Sequence, residues 1–83
     1  MYEIFFTNEA KHQLINLDNA ARERIGAAIE RIKIRPHDFV KRMYDNPYYR
    51  ARVDNYRIIL DIQDIKLIIH VIDIDTRDKI YKK

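Results

Sequence analysis

Apolar and polar positions follow two different rhythms along this chain of 83 residues. Tyr2 to Phe6 is short, aromatic and β-branched, which predicts a first strand. Asn8 offers an N-cap with Glu9 in the first turn, opening a short helix through Leu17. Asp18 or Asn19 then caps a second helix. Its apolar positions Ala21, Ile25, Ala28, Ile29 and Ile32 recur with the 3.6-residue period of one buried stripe. Arg31, Lys33 and Arg35 gather at the helix end favoured by its dipole, and Pro36 stops it. Residues 37–47 read as irregular, ending in the turn-prone Asp45-Asn46-Pro47.

From there the period changes to two. Tyr48–Val53, Tyr56–Ile62 and Ile65–Ile74 read as strands, joined by two-residue turns at Asp54-Asn55 and Gln63-Asp64. The order β-α-α-β-β-β predicts a small α+β domain spanning residues 1–83. An αα-hairpin packs on one face of a mainly antiparallel four-stranded sheet.

Composition narrows the function. The chain has no cysteine, which excludes disulfide scaffolds, thiol catalysis and thiolate zinc sites. Its apolar runs fall far short of the ~20 residues a membrane helix needs, and Met1 to Phe6 lacks the basic start of a signal peptide. A cytoplasmic protein with no membrane partner is the expectation. The formal charge is only +3, but it is a cancellation. Residues 22–35, 41–57 and 76–83 are basic, whereas residues 58–75 are acidic.

The Asp54-Asn55 turn decides where part of that basic charge points. A two-residue loop pairs Val53 with Tyr56, Arg52 with Arg57, Ala51 with Ile58 and Arg50 with Ile59. Tyr49, Ala51, Val53, Tyr56, Ile58, Leu60 and Ile62 then share the apolar face beneath the helices. Arg50, Arg52 and Arg57 share the other. Like charges opposed across a ladder are destabilising, so three converging guanidiniums are favourable mainly when an anion binds. Arginine's planar fork suits phosphate. A solvated face partly neutralised by Asp61 is the simpler alternative.

Arg77 and Tyr81 in the basic tail share a face in either a helical or an extended backbone, and can reach the edge of the arginine face. The alternative is a basic tail docked by Ile80 and Tyr81. His12, His37 and His70 are scattered, and His70 falls on the arginine side. Asp73 and Asp75 share a face, where they solubilise a strand end, pair with Arg77 or hold a metal. No spacing matches a metal motif, no cofactor is implied, and no Gly-rich phosphate loop is present.

The segment Tyr48-Tyr49-Arg50-Ala51-Arg52-Val53-Asp54-Asn55-Tyr56-Arg57-Ile58-Ile59 resembles the hairpin of the RelE/ParE superfamily of toxins. The element order, the length and the ending Thr76-Arg77-Asp78-Lys79-Ile80-Tyr81 extend the resemblance over essentially the whole chain. For the RelE-like branch it implies a metal-independent, ribosome-dependent endoribonuclease. Such enzymes cut mRNA in the ribosomal A site by driving a ribose 2′-hydroxyl onto the adjacent phosphate. Arg50 and Arg52 then fall at the family's basic pair and Arg57 at its phosphate-binding arginine. Arg77 and Tyr81 match the C-terminal arginine and tyrosine. A cognate RelB-like antitoxin, joined with the toxin in a heterotetramer, is the implied inhibitor. The chain departs from the pattern at the hairpin turn, where Asp54-Asn55 replaces the usual glycine, and at Thr76, where a histidine or lysine is common. A ParE-like poison of DNA gyrase and a catalytically silent module binding RNA or antitoxin are the rival implications.

Overall fold

The structure, a computed structural model, describes residues 1–76; Arg77 and Tyr81 lie outside the described residues. The elements are β1 (Glu3–Phe6), α1 (Asn8–Ile15), α2 (Asn19–Ile34), α3 (Pro36–Phe39), β2 (Lys41–Arg42), β3 (Tyr49–Val53), β4 (Tyr56–Gln63) and β5 (Ile68–Thr76). One sheet runs β1-β5-β4-β3-β2. β1 is parallel to β5, and the other pairs are antiparallel. The α+β class and the αα-hairpin are as expected, but among the described residues the sheet has five strands rather than four. The additional strand, Lys41–Arg42, lies in the segment read as irregular. Two residues carry no periodic signal, and this strand exists because β3 offers it a partner.

Local chemistry explains the helix ends. Thr7 rather than Asn8 caps α1: its hydroxyl oxygen accepts from the Ala10 N–H at 3.1 Å and donates to the Ile72 carbonyl at 3.0 Å. That second bond, made across the chain to β5, selects Thr7. Asp18 caps α2, its carboxylate accepting from the Ala21 N–H at 2.8 Å. Arg22 in the first turn of α2 donates to the carbonyls of Ile15 and Leu17 at 3.0 and 2.7 Å. It thereby satisfies acceptors that the end of α1 leaves open. Pro36 does end α2, and it then opens α3, where a missing N–H costs nothing.

The apolar face lies under the helices as the alternation predicts. Ile25, Ile29 and Ile32 from α2 meet Ala51, Ile58, Leu60, Ile69, Val71 and Ile74 in one buried cluster that includes Ala10. Ala28, expected in the stripe, is only half-buried. It lies about a fifth of a turn from the centre of the Ile25–Ile29–Ile32 stripe.

The β4–β5 connection also differs from the expected two-residue turn. β4 continues to Gln63, and β5 begins only at Ile68. Leu67 takes a left-handed φ of 57°, which is strained for a bulky side chain. Its carbonyl accepts from the Glu3 N–H at 2.8 Å and so starts the parallel β1–β5 ladder. Asp64 secures this turn. The Tyr2 hydroxyl donates to its carboxylate at 2.7 Å, and His37 Nε2 lies 2.9 Å from the same oxygen. Hydrogen bonds from Tyr2, then from His37, lower the Asp64 pKa, while the Asp64 carboxylate raises that of Tyr2.

Two outcomes follow from this architecture. Ile58→Ala empties a fully buried position between α2 and the sheet and should lower the urea-unfolding free energy by about 2–5 kcal/mol. The depressed Asp64 pKa contributes stability that is complete above the unfolded carboxylate value, about 4, and is lost as pH falls through the lower folded value. Asp64→Asn should therefore flatten the acid limb of a stability-against-pH profile measured by denaturant unfolding.

Candidate functional site

The β3–β4 register is the predicted one: Val53 faces Tyr56, Arg52 faces Arg57, Ala51 faces Ile58 and Arg50 faces Ile59. Asp54 adopts the left-handed backbone, φ 54°, that the tight turn requires and that aspartate tolerates. Arg24 of α2 holds this turn through an ion pair to Asp54 at 3.1 Å. Arg50, Arg52 and Arg57 consequently share the sheet face turned away from the helices.

A fourth cation joins them. Lys41 on β2 is in register with Arg50, and cross-strand partners share a face. Phe39, Lys41, Arg50 and Arg52 line a cleft of about 340 Å³. Sequence reasoning missed Lys41 because its strand was not visible there. The adjacent Lys41-Arg42 pair was the available signal, but nothing fixed its partner.

The acidic side of this face is set by an irregularity. Ile59 pairs with Asp73 whereas Leu60 pairs with Val71, which leaves Ile72 as an extra residue in β5. This bulge reverses the alternation. Ile69, Val71 and Ile74 all enter the core, and Asp73 and Asp75 come onto the arginine side in register with Ile59 and Arg57. One row across the sheet therefore reads Arg52–Arg57–Asp75. Asp73 is engaged elsewhere, accepting from Gln13 Nε2 at 2.7 Å.

The expected neutraliser, Asp61, faces His70 instead of an arginine, with its carboxylate 4.0 Å from His70 Nδ1. Among the described residues Arg50, Arg52 and Arg57 form no ion pair. The buried Nε of Arg57 also meets no acceptor among them, and an unsatisfied buried donor costs about 1–3 kcal/mol. These electrostatics cost the free protein, and a bound anion would relieve them. His70 lies on this face, as its alternation predicts. His37 is committed to Asp64, and His12 is exposed on α1. The structure thus brings Arg50, Arg52 and Arg57 together.

A second concavity, of about 300 Å³, lies between α2 and β3. Ala27, Ala28, Ile32 and Val53 are among the residues forming its apolar lining, Arg24 and Arg31 stand beside them on α2, and Arg52 borders it from β3. Arg52 borders both concavities.

Opposed guanidiniums at Arg52 and Arg57 make a direct prediction. Arg52→Gln keeps two of the three side-chain methylenes and removes the repulsion. It should raise the free energy of unfolding by up to about 1 kcal/mol, read from the urea midpoint, while weakening binding of inorganic polyphosphate in a titration.

Comparison with known proteins places this geometry. Residues 4–81 match the model of the ParE toxin of the type II toxin–antitoxin system parDE. No curated protein gives a significant match. Solved structures do. The toxin–antitoxin complex RelBE2 of Mycobacterium tuberculosis contains a chain 22% identical, covering 92% of this chain and 98% of that one, with a TM-score of 0.77. The RelB–RelE complex of Methanococcus jannaschii gives 24% identity, 94% and 95% coverage and a TM-score of 0.74. The intact RelBE complex of E. coli gives 20%, 92% and 96%, and 0.75. The fold is that of these complexes' matching chains, and the family match spans almost all of the sequence. The chain belongs to the RelE/ParE superfamily, as a ParE-family toxin of a type II toxin–antitoxin system.

Proposed function

We propose that this toxin is a ribosome-dependent endoribonuclease that cleaves mRNA in the ribosomal A site. The observation that supports this reading is the convergence of Arg50, Arg52 and Arg57, with Lys41 beside them, on one sheet face where they form no ion pair among the described residues. In the reaction the ribose 2′-oxygen attacks the adjacent phosphorus as its proton leaves to a base. The bond from phosphorus to the 5′-oxygen breaks, and the products are a 2′,3′-cyclic phosphate and a 5′-hydroxyl. Guanidiniums at Arg50, Arg52 and Arg57 stabilise the charge that builds on the phosphoryl and leaving oxygens. They stay protonated and cannot serve as the base. By the family resemblance Tyr81 accepts the 2′-hydroxyl proton or stacks on a base, and Arg77 adds to the phosphate clamp. The chemistry needs no metal or cofactor.

The partner in this reading is a cognate RelB-like antitoxin, since the matched chains come from toxin–antitoxin complexes. The apolar groove with Arg24, Arg31 and Arg52 around it is complementary to an acidic amphipathic segment. Two toxins and two antitoxins would form the resting heterotetramer in the cytoplasm.

A second reading is inhibition of DNA gyrase. It is favoured by the ParE family match and by Asp75, which stands in register with Arg57 and offsets part of the positive field there. Primer extension on a translated mRNA separates the two. Wild type should produce ribosome-dependent cuts, and Arg57→Ala should reduce them by about 10²–10³. Inhibition of gyrase supercoiling with no mRNA cleavage would overturn the nuclease reading. RNA binding with neither activity would reduce the protein to a silent binding module.

A further inference from the structure

The arginine face continues past its cations into an aromatic surface that the phosphate chemistry does not use. Phe5 of β1 and His70 of β5 are partners in the parallel ladder. Their rings stack with centroids 5.6 Å apart and planes 28° from parallel. Both point away from the helices. Phe5 lies between Ile4 and Phe6, which pack on the core, and His70 lies between the buried Ile69 and Val71. The pair is open to solvent: Phe5 is 42% exposed, and so is the His70 side chain. An exposed phenylalanine in a short strand loses burial energy, and the core does not need it. Ile4 and Phe6 already supply the inward contacts of β1.

Position relates the ring pair to the cations. His70 faces Asp61 across the β4–β5 ladder, and Asp61 lies two residues along β4 from Ile59, the partner of Arg50. With strands ~4.8 Å apart and residues ~3.4 Å apart, His70 lies ~12 Å from Arg50 on the same face. That is within the reach of a nucleotide or two of single-stranded RNA. Charge sets the direction in which a strand would lie. Asp61 is 4.0 Å from His70, and Glu3 is two residues from Phe5 on the same face, so phosphate is repelled from this end and attracted to the arginine end. A flat, neutral, aromatic group fits over the rings.

We propose that Phe5 and His70 form a stacking platform for a nucleobase of the RNA whose phosphates bind Arg50, Arg52 and Arg57. This rests on the nucleic-acid reading of the arginine face and adds to it a base-binding subsite on β1 and β5. Stacking on an exposed ring is tolerant of base identity and is typically worth about a tenfold change in affinity or more. The platform therefore positions the strand without specifying a sequence. Asp61, beside His70, keeps the backbone off the rings.

The test compares two ligands of equal length on the isolated protein: single-stranded oligoadenylate RNA and an abasic ribose-phosphate backbone. Fluorescence anisotropy gives the ratio of their affinities. Wild type should bind oligoadenylate about tenfold more tightly. Phe5→Ala and His70→Ala should each bring the ratio close to one, and Phe5→Trp should preserve it. The ratio is insensitive to a general loss of folded protein, because both ligands need the same fold. A wild-type ratio near one, or a ratio unchanged in Phe5→Ala and His70→Ala, overturns the platform while leaving the arginine site standing. Absence of binding to both ligands overturns the arginine site and the platform together.

Discussion

The two-residue turn at Asp54-Asn55 imposes one parity on the whole β3–β4 hairpin, and both halves of the molecule depend on it. With no slack in the loop, Val53 must face Tyr56, and every side chain behind them is assigned a side. The odd residues of β3 and the even residues of β4 build the floor under α2. The remaining residues carry three guanidiniums to the opposite face. A slip of one residue would bury the arginines and expose Ala51, Ile58 and Leu60. The hydrophobic core therefore enforces the geometry of the cationic face, and the repulsion between Arg52 and Arg57 is held in place by burial on the other side of the same strands.

The bulge at Ile72 has a comparable role on β5. Without the extra residue, Val71, Asp73 and Asp75 would point the same way, and two carboxylates would enter the core. With it, Ile74 turns inward and the aspartates join the face that carries the arginines. The result is a graded surface. Lysine and arginine occupy the β2–β3 side, aspartates stand on β5, and the stacked rings of Phe5 and His70 occupy the β1 end. Edge strands that are short, as β1 and β2 are, blunt the tendency of such a sheet to pair with other chains. Here they also deliver Lys41 and Phe5 to the two ends of the face.

Arg52 links that face to the groove between α2 and β3, since it borders both concavities. A partner seated in the groove would border the residue that also carries a guanidinium on the cationic face. The apolar groove and the cationic cleft therefore share a residue. Their juxtaposition follows from β3 lying near the sheet edge, where β2 covers only Tyr49 and Arg50.

By itself, the sequence determined the features that local periodicity and loop length encode. These were the α+β order, the isoleucine stripe of α2, the start of that helix at Asp18 or Asn19, and the register that puts Arg50, Arg52 and Arg57 on one face. Each depends on residues close together in the chain, so the pattern can be read directly. Tertiary structure alone decided the rest. Lys41 reached the site because a two-residue strand found a partner at Arg50, and Asp75 reached Arg57 because a bulge reversed the alternation of β5. Thr7 displaced Asn8 as the cap because its hydroxyl also bonds to Ile72. Phe5 met His70 because β1 docks parallel to β5, a contact between residues 65 positions apart. These contacts depend on pairing between distant segments, for which the spacing of residues along the chain carries no signal.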